Sequence, residues 1–467
     1  MPAAPGLCPH IWRTKSPTAL EQFAATLSQS VRPLHDACEP AFPMYTLPLE
    51  VFMMLSCVKT HEELRSDLCE FDKTLGNAAF VSHQWLSDRH PDPTGQQLKV
   101  LQTALANMLS GQSRITVLPV VEILTGSVAA PTASELGARP LFIWYDYFSC
   151  PQGHMQHRSS AINSIHAYVA RSEFFIVLCP ALEHQQQRVI LSQTTWAARG
   201  WCRAERMAHE LSCADGRAIV VESATHQILL PKFSSFLYSV GEGHFTLEED
   251  RAAVSSIVVQ MVWAKLLYLL SQGDLHSYRF LLSQQSVRMA QLAADLAIPG
   301  FVTDSDPTQD PGAFLLARFL HQNGFRGSFD RDEAGWSPLC FAAMDGGPLL
   351  VGELLQQRAD PNDRTTKSKH EALFPKHMPV LSIATCYKRN EALSLLLAGR
   401  ADPNGRNALG ATGPASQTMR RGSASFARVV QTSPWRGRGS AAGVTSSGTQ
   451  PQLEVLPALR LPCARIA

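Results

Sequence analysis

The 467 residues contain no Cys-x-x-Cys pair, and their eleven cysteines are scattered singly, so neither a zinc framework nor a disulfide scaffold is spelled out. Free thiols in a reducing compartment are the expectation. No Gly-x-Gly-x-x-Gly follows a strand pattern and no Walker-type loop is present, which excludes a conventional dehydrogenase and a P-loop enzyme. The first ten residues lack a basic stretch followed by an apolar core, so no secretory signal is expected. Long apolar runs are scarce. In Ala252 to Leu270, Lys265 interrupts the run and Ser255, Ser256 and Gln260 dilute it, short of the roughly 20 apolar residues of a membrane span. The segment reads as a buried helix. Net charge is +1, and the folded-looking part has no lysine or arginine block, which argues against a nucleic-acid binder.

At this length roughly two to three domains are expected. Residues 1–76 read as a helical lead-in, partly disordered, with amphipathic stretches at Ala19 to Leu34 and Leu47 to Cys69. Residues 77–240 alternate short apolar runs (Ala78 to Ser82, Leu141 to Asp146, Phe174 to Cys179, Arg217 to Glu222) with helical patterns at Gly95 to Leu109, Ser159 to Ala170 and Trp201 to Cys213. Such alternation predicts parallel pairing with crossover helices, an α/β doubly wound parallel sheet. The long loop from Gly111 to Pro140 holds its own apolar stretch, Ile115 to Leu124, a further strand or helix.

Residues 252–404 repeat themselves. Arg-Ala-Asp-Pro-Asn occurs at Arg358 to Asn362 and again, 42 residues on, at Arg400 to Asn404, each after a two-helix pattern. Together with Trp336-Ser337-Pro338-Leu339-Cys340-Phe341-Ala342, this resembles the ankyrin repeat, whose period is about 33 residues. The excess spacing fits an insertion around Thr365 to Lys376, in a finger loop. Clear repeats span about 332–404, and Trp263 to Gln284 looks like a degenerate repeat or amino-terminal cap. The resemblance implies an all-α solenoid that binds a protein partner. Residues 405–467, rich in Gly, Ser, Arg, Ala and Thr, read as a disordered tail, with a basic bias at Arg420-Arg421 and Arg436-Gly437-Arg438-Gly439.

Three segments carry the candidate site: Ala79 to Trp85, Leu141 to Gln152 and Arg199 to Arg206. The first two are apolar runs ending abruptly in polar residues, as when a buried parallel strand delivers a functional loop at its carboxyl end. The third opens a helix on which Trp201, Ala204, Ala208 and Leu211 form an apolar stripe with Glu205 at its edge, where desolvation raises a carboxyl pKa. Ser82, His83 and Trp85 at the first strand end, with Asp146 and Tyr147 at the second, are expected to line the same rim. Trp85 or Trp201 could stack on a base, and Arg199 or Arg203 could meet phosphate.

In order, these segments resemble two related families, the fungal heterokaryon-incompatibility domain and the Toll/interleukin-1 receptor domain. The matching stretches are Val81-Ser82-His83-Gln84-Trp85, Trp144 to Gln152 and Arg199-Gly200-Trp201-Cys202-Arg203-Ala204-Glu205. This sequence departs from them at Ala204, at His83-Gln84 and at Arg206. Some Toll-type members cleave NAD at the nicotinamide–ribose bond, so the resemblance implies Glu205 as the catalytic residue, NAD as a possible substrate and no required cofactor. It also implies self-association of the α/β domain.

Blander readings stand beside these. Trp85, Trp144 and Trp201 also suit a core, Asp146 suits a cap, His83 a hydrogen-bonded strand end, and Glu205 an ion pair with Arg199. Glu205 and His209 stand four apart, a pair suited to acid/base work or to a surface hydrogen bond. Cys150 and Cys202 lack a base partner, and His154-Met155-Gln156-His157 lacks a metal framework, so no metal is expected. The leading expectation is a cytoplasmic signalling and interaction protein, with an NAD glycohydrolase as the alternative and a purely structural scaffold as a third reading.

Overall fold

The computed structural model describes residues 16–29, 39–119, 121–122, 128–212, 216–230, 239–288, 298–369 and 374–413. Its strands are β1 (Tyr45–Pro48), β2 (Cys69–Glu70), β3 (Asn77–His83), β4 (Ile115–Thr116), β5 (Leu141–Tyr145), β6 (Phe174–Leu178), β7 (Leu182–Glu183), β8 (Ile190–Leu191), β9 (Arg217–Val221) and β10 (Gln227–Leu230). Eight of these form one sheet in the order β2-β1-β5-β3-β6-β9-β10-β4, while β7 and β8 pair separately.

The middle of the sheet, β5-β3-β6-β9, is parallel, as the alternating pattern predicts. The margins differ from the doubly wound expectation. β1 runs antiparallel to β5 and to β2, β10 runs antiparallel to β9, and β4 pairs parallel with β10, so the sheet is mixed. The reason lies in the connections: the short turn from β9 to β10 leaves no room for a crossover helix, which parallel pairing requires. Two of the marginal strands come from the stretch expected as a helical lead-in. Leu47 to Cys69 holds the end of β1, one short helix at Leu49–Met54 and turns, while Ala19–Ser28 is helical. Residues 30–34 of the first amphipathic stretch lie outside the described residues, as do residues 120, 123 and 124 beyond β4.

Alternation along β3 sorts its side chains. Ala78 and Phe80 face one core, where Phe80 stacks on Trp144 with centroids 4.1 Å apart; Ala79 and Val81 face the other. The second face is covered by helix Gln96–Ser110, whose buried Leu98, Leu101, Leu105 and Met108 make a stripe of helical period. The first face is covered by helices Met155–Asn163, Ile165–Arg171 and Gly200–Leu211. At the start of β3, a Cβ on Gly76 would lie 2.2 Å from the Pro140 carbonyl oxygen, so only glycine lets the chain pass there.

A further layer lies outside helix Gly200–Leu211. Helix Glu249–Ser271 packs against it and against Ala19–Ser28, burying Val254, Val258, Val262, Leu266 and Leu270 at a spacing of four. By length and composition this helix is apolar enough to cross a membrane. In this structure its stripe is buried in protein.

The chain turns at Gln272–Asp274 into helix Leu275–Leu282, then builds the pairs Pro338–Asp345 with Pro348–Gln356 and Val380–Cys386 with Asn390–Ala398. First helices pack on first helices and second on second, and Pro311–Asn323 continues the second row. Both Arg-Ala-Asp-Pro-Asn copies take one geometry. Arg358 and Arg400 are left-handed (φ 67° and 70°), Ala359 and Ala401 are buried, and Asp360 and Asp402 accept from the amides of Asn362 and Asn404. The Asn362 side chain bridges the copies, accepting from Asp402 N at 2.7 Å and donating to Arg400 O at 3.2 Å.

The insertion between the copies folds back rather than projecting free. Arg364 bridges Pro379, Lys369 bridges Phe374, and the buried Phe374 ring sits 5.8 Å from Trp336, 6.1 Å from Phe280 and 6.1 Å from Tyr387. Residues 405–413, expected as tail, form an ordered turn in which Asn407 Oδ1 accepts from the amides of Leu409 and Ala411. From 414 onward, including Arg420-Arg421 and Arg436 to Gly439, the tail lies outside the described residues.

A buried polar chain joins the two parts. Glu210 meets Arg206 at 3.4 Å and Arg288 at 3.7 Å, Arg288 donates to Gln284 at 2.8 Å, and Gln284 donates to the Tyr387 hydroxyl at 2.8 Å. The aromatic anchor of the insertion gives a testable expectation. Phe374→Ala leaves a cavity among three rings and costs about 3–5 kcal/mol. Urea unfolding checks the cost, and faster amide exchange in Leu275–Leu282 checks that the insertion clasps that helix.

Candidate functional site

Ser82 follows Ala78 and Phe80 on the face of β3 that meets helix Gly200–Leu211, and Glu205 lies on that helix opposite it. Its hydroxyl donates to Glu205 Oε2 at 2.5 Å. The same hydroxyl oxygen accepts from Trp196 Nε1 at 2.9 Å, which directs the hydroxyl proton towards Glu205. His83, one residue on, faces the opposite side and enters a second cluster. Its Nε2 lies 2.8 Å from Asp146 Oδ1, its Nδ1 lies 3.2 Å from the Tyr145 hydroxyl, and its ring stacks on Tyr145. Trp85 Nε1 donates to Asp146 Oδ2 at 3.0 Å, and Tyr147 packs edge-on against the Trp85 ring.

The Arg-Gly-Trp turn that opens the glutamate helix is shaped by a close approach. A Cβ on Gly200 would lie 2.1 Å from the Phe245 ring, and Gly200 N donates to His244 O at 2.8 Å. The turn is thereby pinned to residues that follow the sheet. Gln84 turns inward, its carbonyl accepting from Gln97 and its amide oxygen accepting from Thr195 at 2.7 Å.

Where one rim was expected, the structure sets two clusters at the carboxyl ends of β3 and β5: Ser82 with Glu205 on one side, and His83, Trp85, Asp146 and Tyr147 on the other, because successive strand residues point to opposite faces. Glu205, Trp85, Asp146 and Tyr147 stay partly exposed, whereas Ser82 and His83 are closed over. Arg199 is half-buried, acts electrostatically on Glu205, and makes no side-chain hydrogen bond or ion pair among the described residues. Two expected rim residues serve elsewhere. Trp201 Nε1 donates to Asp250 on helix Glu249–Ser271 at 2.9 Å. Arg203 donates to the carbonyls of Ala197 and Ser239 at 2.8 and 2.7 Å, so it binds backbone where phosphate contact was expected. Trp144 is a buried core ring.

The two carboxyls are pushed apart. Burial raises Glu205 to about 7, helped by the Asp146 charge and opposed by the Ser82 hydrogen bond, His83 and Arg199. Burial also works against Asp146, yet His83, by charge and hydrogen bond, and Trp85 hold it below the ordinary carboxylate value. His209 does not serve as Glu205's partner; its ring stacks on Phe175 at 5.1 Å. Burial pushes the Cys150 and Cys202 thiols well above their usual value, which suits packing and not nucleophilic attack. His154 caps the helix beginning at Met155 through the His157 amide, and no His/Cys/Asp/Glu cluster able to hold a metal occurs among the described residues.

Sequence reasoning missed Trp196 and Gln84. Trp196 is a lone bulky ring in polar Gln193-Thr194-Thr195-Trp196, one helical turn before Arg199, and its indole N–H calls for a buried acceptor.

A family model described as Ankyrin repeat matches residues 334–366. That span covers helices Pro338–Asp345 and Pro348–Gln356 with the first Arg-Ala-Asp-Pro-Asn copy. The helical region thus contains an ankyrin repeat, an element that supports protein-partner binding. A search of curated proteins finds no match to the chain.

The raised carboxyl has a stability consequence. Between the ordinary value of 4.5 and about 7, the unfolded chain loses this proton first, so Glu205 lowers native stability as pH rises through that window. Glu205→Gln keeps an acceptor for Ser82 and removes the ionisation. Its melting temperature relative to wild type should be higher at pH 8 than at pH 5, as scanning calorimetry at both pH values would register.

Proposed function

We propose that the chain is a cytoplasmic interaction and signalling protein, in which the ankyrin-repeat region engages a protein partner and the α/β part mediates assembly or signalling. The observation that carries this reading is the ankyrin repeat at 334–366, whose Trp336 meets Phe280 of helix Leu275–Leu282, which in turn packs on helix Glu249–Ser271. Its α/β part resembles the Toll/interleukin-1 receptor and heterokaryon-incompatibility domains, and a parallel centre with the three motifs at β3, β5 and helix Gly200–Leu211 supports that resemblance. Free thiols at Cys57, Cys69, Cys150, Cys179, Cys202, Cys340 and Cys386 fit a reducing setting.

The Ser82–Glu205 pair favours a second, enzymatic reading: an NAD glycohydrolase. Nicotinamide is a cationic leaving group that departs neutral, so the reaction needs no general acid. The ribose left behind develops positive charge, which one carboxylate stabilises. Ser82 holds Oε2 of Glu205, leaving Oε1 for the sugar. Arg199, with no other ion pair among the described residues, suits the pyrophosphate, and the partly exposed Trp85 and Tyr147 rings offer a stacking surface. Only the ionised form of Glu205 does this work, so the rate should rise with pH through about 7.

Two measurements separate the readings. Light scattering across a hundredfold concentration range should show growth beyond the monomer; a monomer throughout removes assembly from the proposal. Nicotinamide release from NAD, measured at low concentration and under crowding, should fall roughly a hundredfold or more in Glu205→Gln if the carboxylate is catalytic. No release from wild type in any condition removes the enzymatic reading and leaves the interaction reading standing.

A further inference from the structure

Three arginines occupy equivalent places in successive units of the helical region. Arg331 stands 33 residues before Arg364, one repeat length, and Arg364 stands 42 before Arg406, the spacing of the two Arg-Ala-Asp-Pro-Asn copies. Their side chains run in series. Arg331 donates to Arg364 O at 3.3 Å, and Arg364 donates to Arg406 O at 2.5 Å. Arg331 and Arg406 also close their own loops alike, onto the carbonyls of Gly335 at 2.9 Å and Gly410 at 2.8 Å. In the first loop Asp332 accepts from the amides of Ala334 and Trp336, as Asn407 does from Leu409 and Ala411 in the last. The repeat geometry therefore continues past Asn404, and it lays a row of guanidinium groups along one edge of the stacked units.

The row keeps its charge. Lys367 and Lys376, both exposed, flank it: Lys367 Nζ donates to Glu333 O, and the Lys376 carbonyl accepts from Ala408 N. Among the described residues the carboxylate that pairs with this set is Asp363, on Arg331, and nearby Glu333 is engaged by Arg279 at 3.0 Å. Arg364, Lys367, Lys376 and Arg406 form no ion pair among the described residues. A carbonyl satisfies a guanidinium's hydrogen bond without cancelling its charge. The rings packed behind the row, Trp336 and Phe374, are buried and so offer a nucleic-acid base no stacking face. An acidic polypeptide fits better than RNA.

We propose that this arginine row docks an extended, acidic segment of a protein partner. The proposal rests on the reading that the helical region binds protein, and it supplies the partner's chemistry. Packed helices lie about 8–10 Å apart, and an extended chain advances about 3.3 Å per residue. Acidic side chains at every third position of the segment therefore meet successive arginines.

The test uses the full chain and fluorescence anisotropy with three probes: a peptide with glutamate at every third position, a peptide of the same composition with its glutamates bunched at one end, and an oligouridine of equal charge. The spaced peptide should bind with steep salt dependence, and the bunched peptide roughly threefold or more weakly. The double variant Lys367→Glu/Lys376→Glu, and separately Arg406→Glu, should weaken the spaced peptide roughly tenfold. Unchanged melting temperatures would confirm that the variants fold. Peptide binding that ignores these substitutions overturns the arginine row and leaves protein binding by the helical region standing. Oligouridine binding as tightly, and lost in the same variants, overturns the acidic-protein assignment. Binding of neither peptide overturns the proposal outright.

Discussion

Helix Gly200–Leu211 lies between the sheet and the long Glu249–Ser271 helix, and burying both of its faces is the constraint from which the rest of the site follows. A surface helix carries one apolar stripe and one solvated side. This one has neither a free side nor a polar one to spare. Its basic and acidic members must therefore find partners in the interior, and they do: Arg203 on backbone carbonyls, Arg206 on Glu210, Glu205 on Ser82. Desolvation of Glu205 is the chemical result of a packing decision made by the elements outside the sheet.

The second consequence is a division between two carboxyls a short way apart. Asp146 lies at the end of a strand, where a histidine and an indole donate to both of its oxygens. Glu205 has one neutral hydroxyl on one oxygen. A carboxylate that collects charge-assisted donors holds its ionised form more firmly than a buried one that collects a single neutral donor. The two clusters sit on opposite faces of β3 because adjacent residues, Ser82 and His83, point opposite ways along a strand. Two neighbouring letters of the sequence thus address two different environments.

Part of the sheet was legible before the structure, and the division of the site between two faces was not. The apolar runs located β3, β5, β6 and β9; of the polar residues that end β3 and β5, Ser82 meets Glu205, while His83 and Asp146 meet each other on the other face. What escaped notice had short range or distant partners. β1 and β2 are too brief for periodicity to register, and β1 joins the sheet through β5, far along the chain. Trp201 and Arg203 looked like site residues because their motif neighbours were; Asp250 and Ser239, which claim them, belong to segments beyond the sheet. Residues 405–413 read as tail because glycine and polar composition carries no hydrophobic period. The order there comes from Asn407 holding amides, a signal of residue chemistry and not of pattern.

The polar chain from Arg206 through Glu210, Arg288 and Gln284 to Tyr387 bears on how such a protein can be assembled from parts. A seam closed by apolar contact alone tolerates exchange, since one greasy surface substitutes for another. A seam holding a carboxylate between two guanidinium groups does not, because Arg288 comes from one half and the Glu210 carboxylate that it meets comes from the other. The stacked helices beyond the seam are not a detachable accessory. Recombination that swapped them for another array would have to bring a matching arginine at the same spot, which ties the history of the one half to that of the other.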